Sequence, residues 1–190
     1  MPKGDYLATI LRSPKTVFTF ADIILLWGEQ GSNSARVRLN YYVKNRDLIR
    51  IRRGLYAKDE NYNKSELATR IFTPSYVSFE TILAEAGVIF QFYSQIFVAS
   101  YLTRKIIIDG QTYSFKKIKD NIITDMVGIE HKDELSFATK ERALLDTLYI
   151  NTDYYFDNLR NLDWKKIFAI LPIYKNKRME KKVEKLYKQV

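Results

Sequence analysis

The sequence predicts an α+β fold in two parts, and three observations predict it. Residues 32–58 hold eight Lys/Arg and one Asp, on a pattern that reads helix, turn, basic hairpin. Ahead of them, apolar residues recur at helical spacing over residues 5–11 and 20–27. Beyond a polar stretch at residues 59–64, short strand-like and helix-like segments alternate and end in a basic amphipathic tail. The expected architecture is an N-terminal winged helix-turn-helix (residues 1–60) followed by a mixed α/β C-terminal domain (residues 61–190) with a helical tail.

Bulk composition narrows the class. A hydrophobic content of 46% and an aromatic content of 14% are enough for a packed core and argue against disorder. The absence of cysteine removes disulfides, zinc–cysteine sites and thiol nucleophiles, and fits a reducing cytoplasm. No apolar run approaches the ~18 residues of a membrane span, and the start MPKGDYLATILRSPK lacks a signal-peptide core. A soluble cytoplasmic protein without a membrane partner is expected. The net charge of +9 is concentrated: residues 32–58 carry +7, residues 175–190 carry +5, and the remainder is −3. Excess charge gathered in two short segments points to an anionic partner there.

The elements follow in order. Residues 5–11 form a short helix ended by Ser13-Pro14. Thr19 is placed to cap Phe20–Trp27, with Asp22 where an acid completes a capping box. Ile23, Ile24, Leu26 and Trp27 supply the buried face. The segment Gly28-Glu29-Gln30-Gly31 breaks the chain, and Ser32 is the expected cap of a third helix reaching about Arg46. On that helix Ala35, Leu39, Tyr42 and Val43 form the core stripe, leaving Asn33, Ser34, Val37, Arg38, Asn40, Tyr41 and Lys44 on the other face. Residues 48–52 alternate like a strand, Arg53-Gly54 turns, and residues 55–57 return.

In the second part, a helix is expected over residues 65–72, broken by Thr73-Pro74-Ser75, then a short strand at Tyr76-Val77. Ser78 is the expected cap of a helix over residues 79–86, stopped by Gly87. Residues 96–102 read as a strand, and residues 104–118 as a hairpin turning at Asp109-Gly110. Residues 121–129 fit strand or helix equally. A strand at residues 135–138 leads to Thr139, the expected cap of Lys140–Ile150. Short helices are expected at residues 153–159 and 164–171, then the tail helix after Pro172.

The chemistry of the first part suits double-stranded DNA. A major groove admits one α-helix, whose exposed side chains reach base edges. Asn33, Arg38 and Asn40 have donors and acceptors for purines, Val37 suits a thymine methyl, and Tyr41 shares their face. Ser32, Ser34 and Lys44 suit phosphates. Arg50, Arg52 and Arg53 on the wing would reach the flanking backbone or a minor groove, with Gly54 allowing close approach. A solvated basic face that binds a protein is the plainer alternative.

Elsewhere the sequence offers little for catalysis. His131 lies in a polar turn, Glu130–Glu134, and reads as a surface histidine. With one histidine and no cysteine a zinc site would have to be mostly carboxylate, which is uncommon, so neither metal nor cofactor is expected. No phosphate-cradling glycine loop or nucleophile elbow occurs. Glu80, Glu141 and Asp146 could be paired carboxylates, but helix capping and a buried ion pair explain them more simply. No catalytic residue is assigned and an enzyme is not expected. The tail's Met179, Val183 and Leu186 follow one helical stripe, with lysines filling the remainder.

Three segments in order resemble the AbiEi family, antitoxins of the type IV abortive-infection toxin–antitoxin systems. Leu48–Ala57 (LIRIRRGLYA) resembles the family's wing. Thr73–Glu80 (TPSYVSFE), followed by the small-residue Ala84/Ala86-Gly87 segment, resembles its PSYVS helix start. Ala138–Asp146 (ATKERALLD) resembles its EKALLD helix, with Arg142 where Lys is frequent. The resemblance covers roughly residues 15–150 and not the tail after Asn151. It implies a DNA-binding autorepressor of its own operon promoter, acting on inverted repeats there. Its second domain would support repression and counter a neighbouring nucleotidyltransferase toxin, without needing a stable complex with it. The alternative is an ordinary winged-helix regulator whose second domain senses a ligand or dimerises.

Overall fold

The computed structural model describes residues 5–29, 32–132 and 134–190, and the side chains of Asp5 and Ser32 fall outside that description. Of the expected break at Gly28-Glu29-Gln30-Gly31, Gly28 ends the second helix at φ +64°, while Gln30, Gly31 and the Ser32 cap lie outside the described residues. The chain is α+β and divides into two compact units after Ile71.

In the first unit the helices are α1 (Asp5–Arg12), α2 (Phe20–Trp27), α3 (Ser32–Lys44) and α4 (Lys64–Ile71). Three short strands, β1 (Val17–Thr19), β2 (Ile49–Arg52) and β3 (Leu55–Ala57), form an antiparallel sheet in the order β1-β3-β2. Thr19 caps α2 as expected: its hydroxyl accepts from the Asp22 N–H, and Asp22 accepts from the Thr19 N–H at 2.8 Å. Ile23 and Trp27 enter the core with Ile10, Phe18, Ala35, Leu39, Tyr42, Leu48 and Tyr56, while Ile24, Leu26 and Val43 pack partly buried against it. Trp27 donates its ring N–H to the Tyr6 carbonyl at 2.9 Å, tying α2 to α1. Strand β1 carries no alternation long enough to be legible, and the sequence reading missed it.

The division falls later than the boundary expected at residues 60/61 because α4 belongs to the first unit. Glu66 of α4 is buried and accepts from the Thr16 N–H and hydroxyl at 2.9 and 2.6 Å. Arg70 pairs with Asp22 at 3.1 Å. Both contacts join residues far apart in sequence, which local periodicity cannot reveal.

The second unit carries a six-stranded mixed sheet: β4 (Ser75–Val77), β5 (Ile96–Ser100), β6 (Arg104–Ile108), β7 (Gln111–Lys117), β8 (Ile129–Lys132) and β9 (Leu135–Ala138), in the order β6-β7-β5-β4-β9-β8. Tyr76, Phe97, Ala99 and Ala138 project from the sheet into a core shared with α5 (Glu80–Glu85), α6 (Asp120–Ile123), α7 (Lys140–Ile150), α8 (Trp164–Ile170) and α9 (Lys177–Tyr187). Met179, Val183 and Leu186 of α9 are buried there, so the basic tail is an integral wall of this unit with its lysines outward.

Three expectations are corrected. Ser78 does not cap α5: its hydroxyl donates to Asp146 at 2.8 Å, and Phe79, at φ +56°, precedes the helix without a side-chain cap. Residues 153–159 form no helix. Residues 121–129 are neither one strand nor one helix but the end of α6, a turn and the start of β8. By contrast, Thr139 caps α7, accepting from the Arg142 N–H at 3.2 Å.

Candidate nucleic-acid interface

Helix α3 packs one face inward through Ala35, Leu39 and Tyr42. The 3.6-residue period then turns Asn33, Val37, Asn40, Tyr41 and Lys44 away from that core, and all five are exposed. Val37 and Tyr41 are large for that setting, at 72% and 60% exposed. The two arginines of the helix flank this stripe on opposite sides and have different fates.

Arg38 faces α1 and α2. Its guanidinium pairs with Glu29, lies 3.6 Å from the Tyr6 ring centroid, and sits 5.4 Å from that of Trp27. The other Glu29 oxygen accepts from the Ser34 hydroxyl at 3.1 Å. The Arg38 hydrogen bond, aided by Ser34 and opposed by partial desolvation, holds the Glu29 carboxyl below its ordinary range. Two residues expected to touch DNA, Ser34 and Arg38, are thus engaged in fastening α3 to the preceding turn.

Arg36 faces the hairpin. Its guanidinium stands 5.2 Å from the Phe20 ring and lines a cleft of about 330 Å³ with Asn40, Arg50, Arg53, Gly54 and Tyr56. The cleft depends on the hairpin tip being held: the Phe20 N–H donates to the Gly54 carbonyl at 3.2 Å, and Gly54 has φ +82°. A side chain there would meet nothing within 4 Å, so the turn conformation rather than crowding demands glycine. The register of β2 against β3 shifts between Arg50 and Arg52, and Arg50 and Arg52 are both exposed while Ile49 and Ile51 are half-buried. Arg52 is outside the residues lining the cleft.

The structure therefore brings Asn40, Arg50, Arg53 and Gly54 together, leaves Asn33, Val37, Tyr41 and Lys44 on the adjoining open stripe, and sets Arg52 beside them on the hairpin. The Ser32 side chain lies outside the description. Arg36 is the residue that sequence reasoning missed. Its helical position, one side of the core stripe facing β2, was the available signal. Three guanidinium groups and a carboxamide around a concave surface suit a phosphate backbone and base edges.

In the second unit the three candidate acids are engaged separately. Glu80 accepts twice from Lys116 at 2.8 Å, and Glu141 accepts from the Asp163 N–H at 3.1 Å. Asp146 is wholly buried, with Arg142 at 3.3 Å and hydroxyl donors Tyr174, Ser78 and Tyr76 at 2.6, 2.8 and 3.1 Å. Burial pushes its carboxyl up, against the pull of Arg142 and the hydroxyls. Arg142 also donates to the carbonyls of Ile122 and Val127, each at 2.7 Å, so the network crosslinks α7 to α6 and the following turn. His131 is exposed, with Nδ1 2.9 Å from the Ser136 hydroxyl. Among the described residues no acidic or histidine cluster is arranged for a metal, and no helix is long and apolar enough to cross a membrane. No protein-family model and no curated protein sequence matches the chain.

Proposed function

We propose that the first unit is a winged helix-turn-helix and that the protein is a DNA-binding autorepressor acting as the antitoxin of a type IV toxin–antitoxin pair. Helix α3 would lie in the major groove, with the β2–β3 hairpin as the wing. The observation that carries the DNA reading is the continuous surface formed by the open stripe of α3 and the arginine-lined cleft beside it. Asn33, Val37 and Asn40 face outward where base edges would be. Arg36, Lys44, Arg50, Arg52 and Arg53 surround them where phosphates would run.

The antitoxin half rests on the three ordered segments that resemble the AbiEi family. Its functional partner would be a nucleotidyltransferase toxin encoded alongside it, and its operator the inverted repeats of its own promoter. A plain winged-helix regulator with a ligand-sensing or dimerising second unit is the competing reading.

Growth rescue separates the two. The neighbouring gene is induced in a host cell while this protein, or its Arg50→Ala/Arg53→Ala variant, is supplied from a separate promoter. A toxic neighbour rescued by both versions is expected for an antitoxin whose activity is separable from the wing. A harmless neighbour would remove the antitoxin role and leave the regulator.

A further inference from the structure

We propose that β6 is a self-complementary edge through which two copies of this chain pair, antiparallel and centred on Ile106, to join their six-stranded sheets into one. The inference stands apart from the DNA reading, because β6 belongs to the second unit and carries none of the cleft residues.

β6 is the outermost strand of its sheet. It meets β7 through the two-residue turn Asp109-Gly110, at φ +47° and +74°, with Ile108 opposite Gln111. A two-residue hairpin of this kind makes the closing pair a hydrogen-bonded one, and hydrogen-bonded and open pairs then alternate. The backbone groups of Ile108, Ile106 and Arg104 therefore point to β7, and those of Lys105 and Ile107 point outward. Among the described residues nothing hydrogen-bonds to the outward groups. Ile107 is 69% exposed and Lys105 is exposed, so no described residue covers this edge.

The sequence Arg104-Lys105-Ile106-Ile107-Ile108 is cationic at one end and apolar at the other, so it complements its own reverse. With Ile106 on the two-fold axis, Lys105 of each copy lies opposite Ile107 of the other. These are the residues with outward backbone groups, so both pairs can exchange N–H···O=C bonds. The two Lys105 side chains sit diagonally rather than face to face, and each has Asp109 of the second copy at its other diagonal. A register with Lys105 opposite Lys105 would set like charges directly across the ladder. One centred on Ile107 would bring Lys105 against the turn, where the strand has ended. The far edge of the sheet, β8, carries Glu130, His131 and Lys132, all exposed, which is how an edge is protected from pairing.

Sedimentation of the full chain over a concentration series tests this. A monomer–dimer equilibrium is expected, and loss of the dimer in Ile107→Lys, which sets a second lysine across from Lys105 at an exposed position that folding does not need. Because the chain has no cysteine, single-cysteine variants report the register. Ile106→Cys is expected to form a disulfide-linked dimer on mild oxidation, since open antiparallel pairs have the required Cα separation, and Ile108→Cys is not. A chain monomeric at every concentration would overturn the proposal. So would a dimer that survives Ile107→Lys, or crosslinking of the Ile108→Cys variant without that of Ile106→Cys, because each places the contact elsewhere or in another register.

Discussion

Two arginines two residues apart on α3 show what a single residue's environment decides. Periodicity places Arg38 on the solvent face and leaves Arg36 unremarked, yet Arg38 is drawn against Tyr6 and Glu29 while Arg36 opens onto the hairpin cleft. The partners that make the difference lie on α1 and in the turn before α3, and no spacing rule within α3 encodes them. The roles should separate by substitution. Arg36→Ala is expected to weaken binding to all duplex sequences alike and to lower the salt slope by about 1. Arg38→Ala should instead lower the melting temperature, since its stacking on Tyr6 is worth about 1 kcal/mol. Fluorescence-anisotropy titrations and thermal melts check both. Unaltered DNA affinity in Arg36→Ala would remove that residue from the interface.

Elements whose ends are set by local chemistry were legible, and those set by long-range contacts were not. Thr19 and Thr139 cap their helices because each has an open backbone N–H within reach three residues on. Ser78 has the same chemistry but finds the buried Asp146 instead, so its helix starts without a cap. Residues 153–159 have helix-compatible spacing but are pinned as an irregular run, with the Asp157 and Asn158 N–H groups both donating to the Val88 carbonyl.

The α2 capping box also fixes a pH response. Burial opposes ionisation of Asp22, but hydrogen bonds from Lys15 and Thr19 and the charge of Arg70 outweigh it and hold the carboxyl below its ordinary 3.8. Since the folded value lies below the unfolded one, this stability is fully present above the unfolded value. It is lost as pH falls through the folded value. Asp22→Asn is expected to cost about 1–2 kcal/mol at neutral pH and to flatten the acid limb of the stability profile. Thermal melts at a series of pH values would show it, and an acid limb of unchanged steepness would contradict the assignment.

For the whole molecule, the charge partition was readable from sequence but its meaning differs between the two basic segments. In the first unit the cations converge on a concave surface beside an open helix. In the tail they cover the outside of a helix whose Met179, Val183 and Leu186 complete a core. The α+β class and most strand positions followed from periodicity. The six-stranded order did not, because parallel pairs such as β4 with β9 join segments roughly sixty residues apart. The limit between the units was misplaced for the same reason, since α4 is held by Glu66 and Arg70 to residues near the start of the chain.

The central claim is that α3 and the β2–β3 hairpin form one DNA-binding surface. The most direct test is equilibrium binding of the protein to its own promoter duplex as salt is raised. Five cations on phosphates (Arg36, Lys44, Arg50, Arg52 and Arg53) predict a log–log slope of about −4.5, or about 500-fold weaker binding for a fourfold rise in salt. The Arg36→Ala/Arg50→Ala/Arg53→Ala variant should retain the fold and fall to a slope of about −2. A wild-type slope near zero, or a variant that binds with the wild-type affinity and slope, would contradict the account.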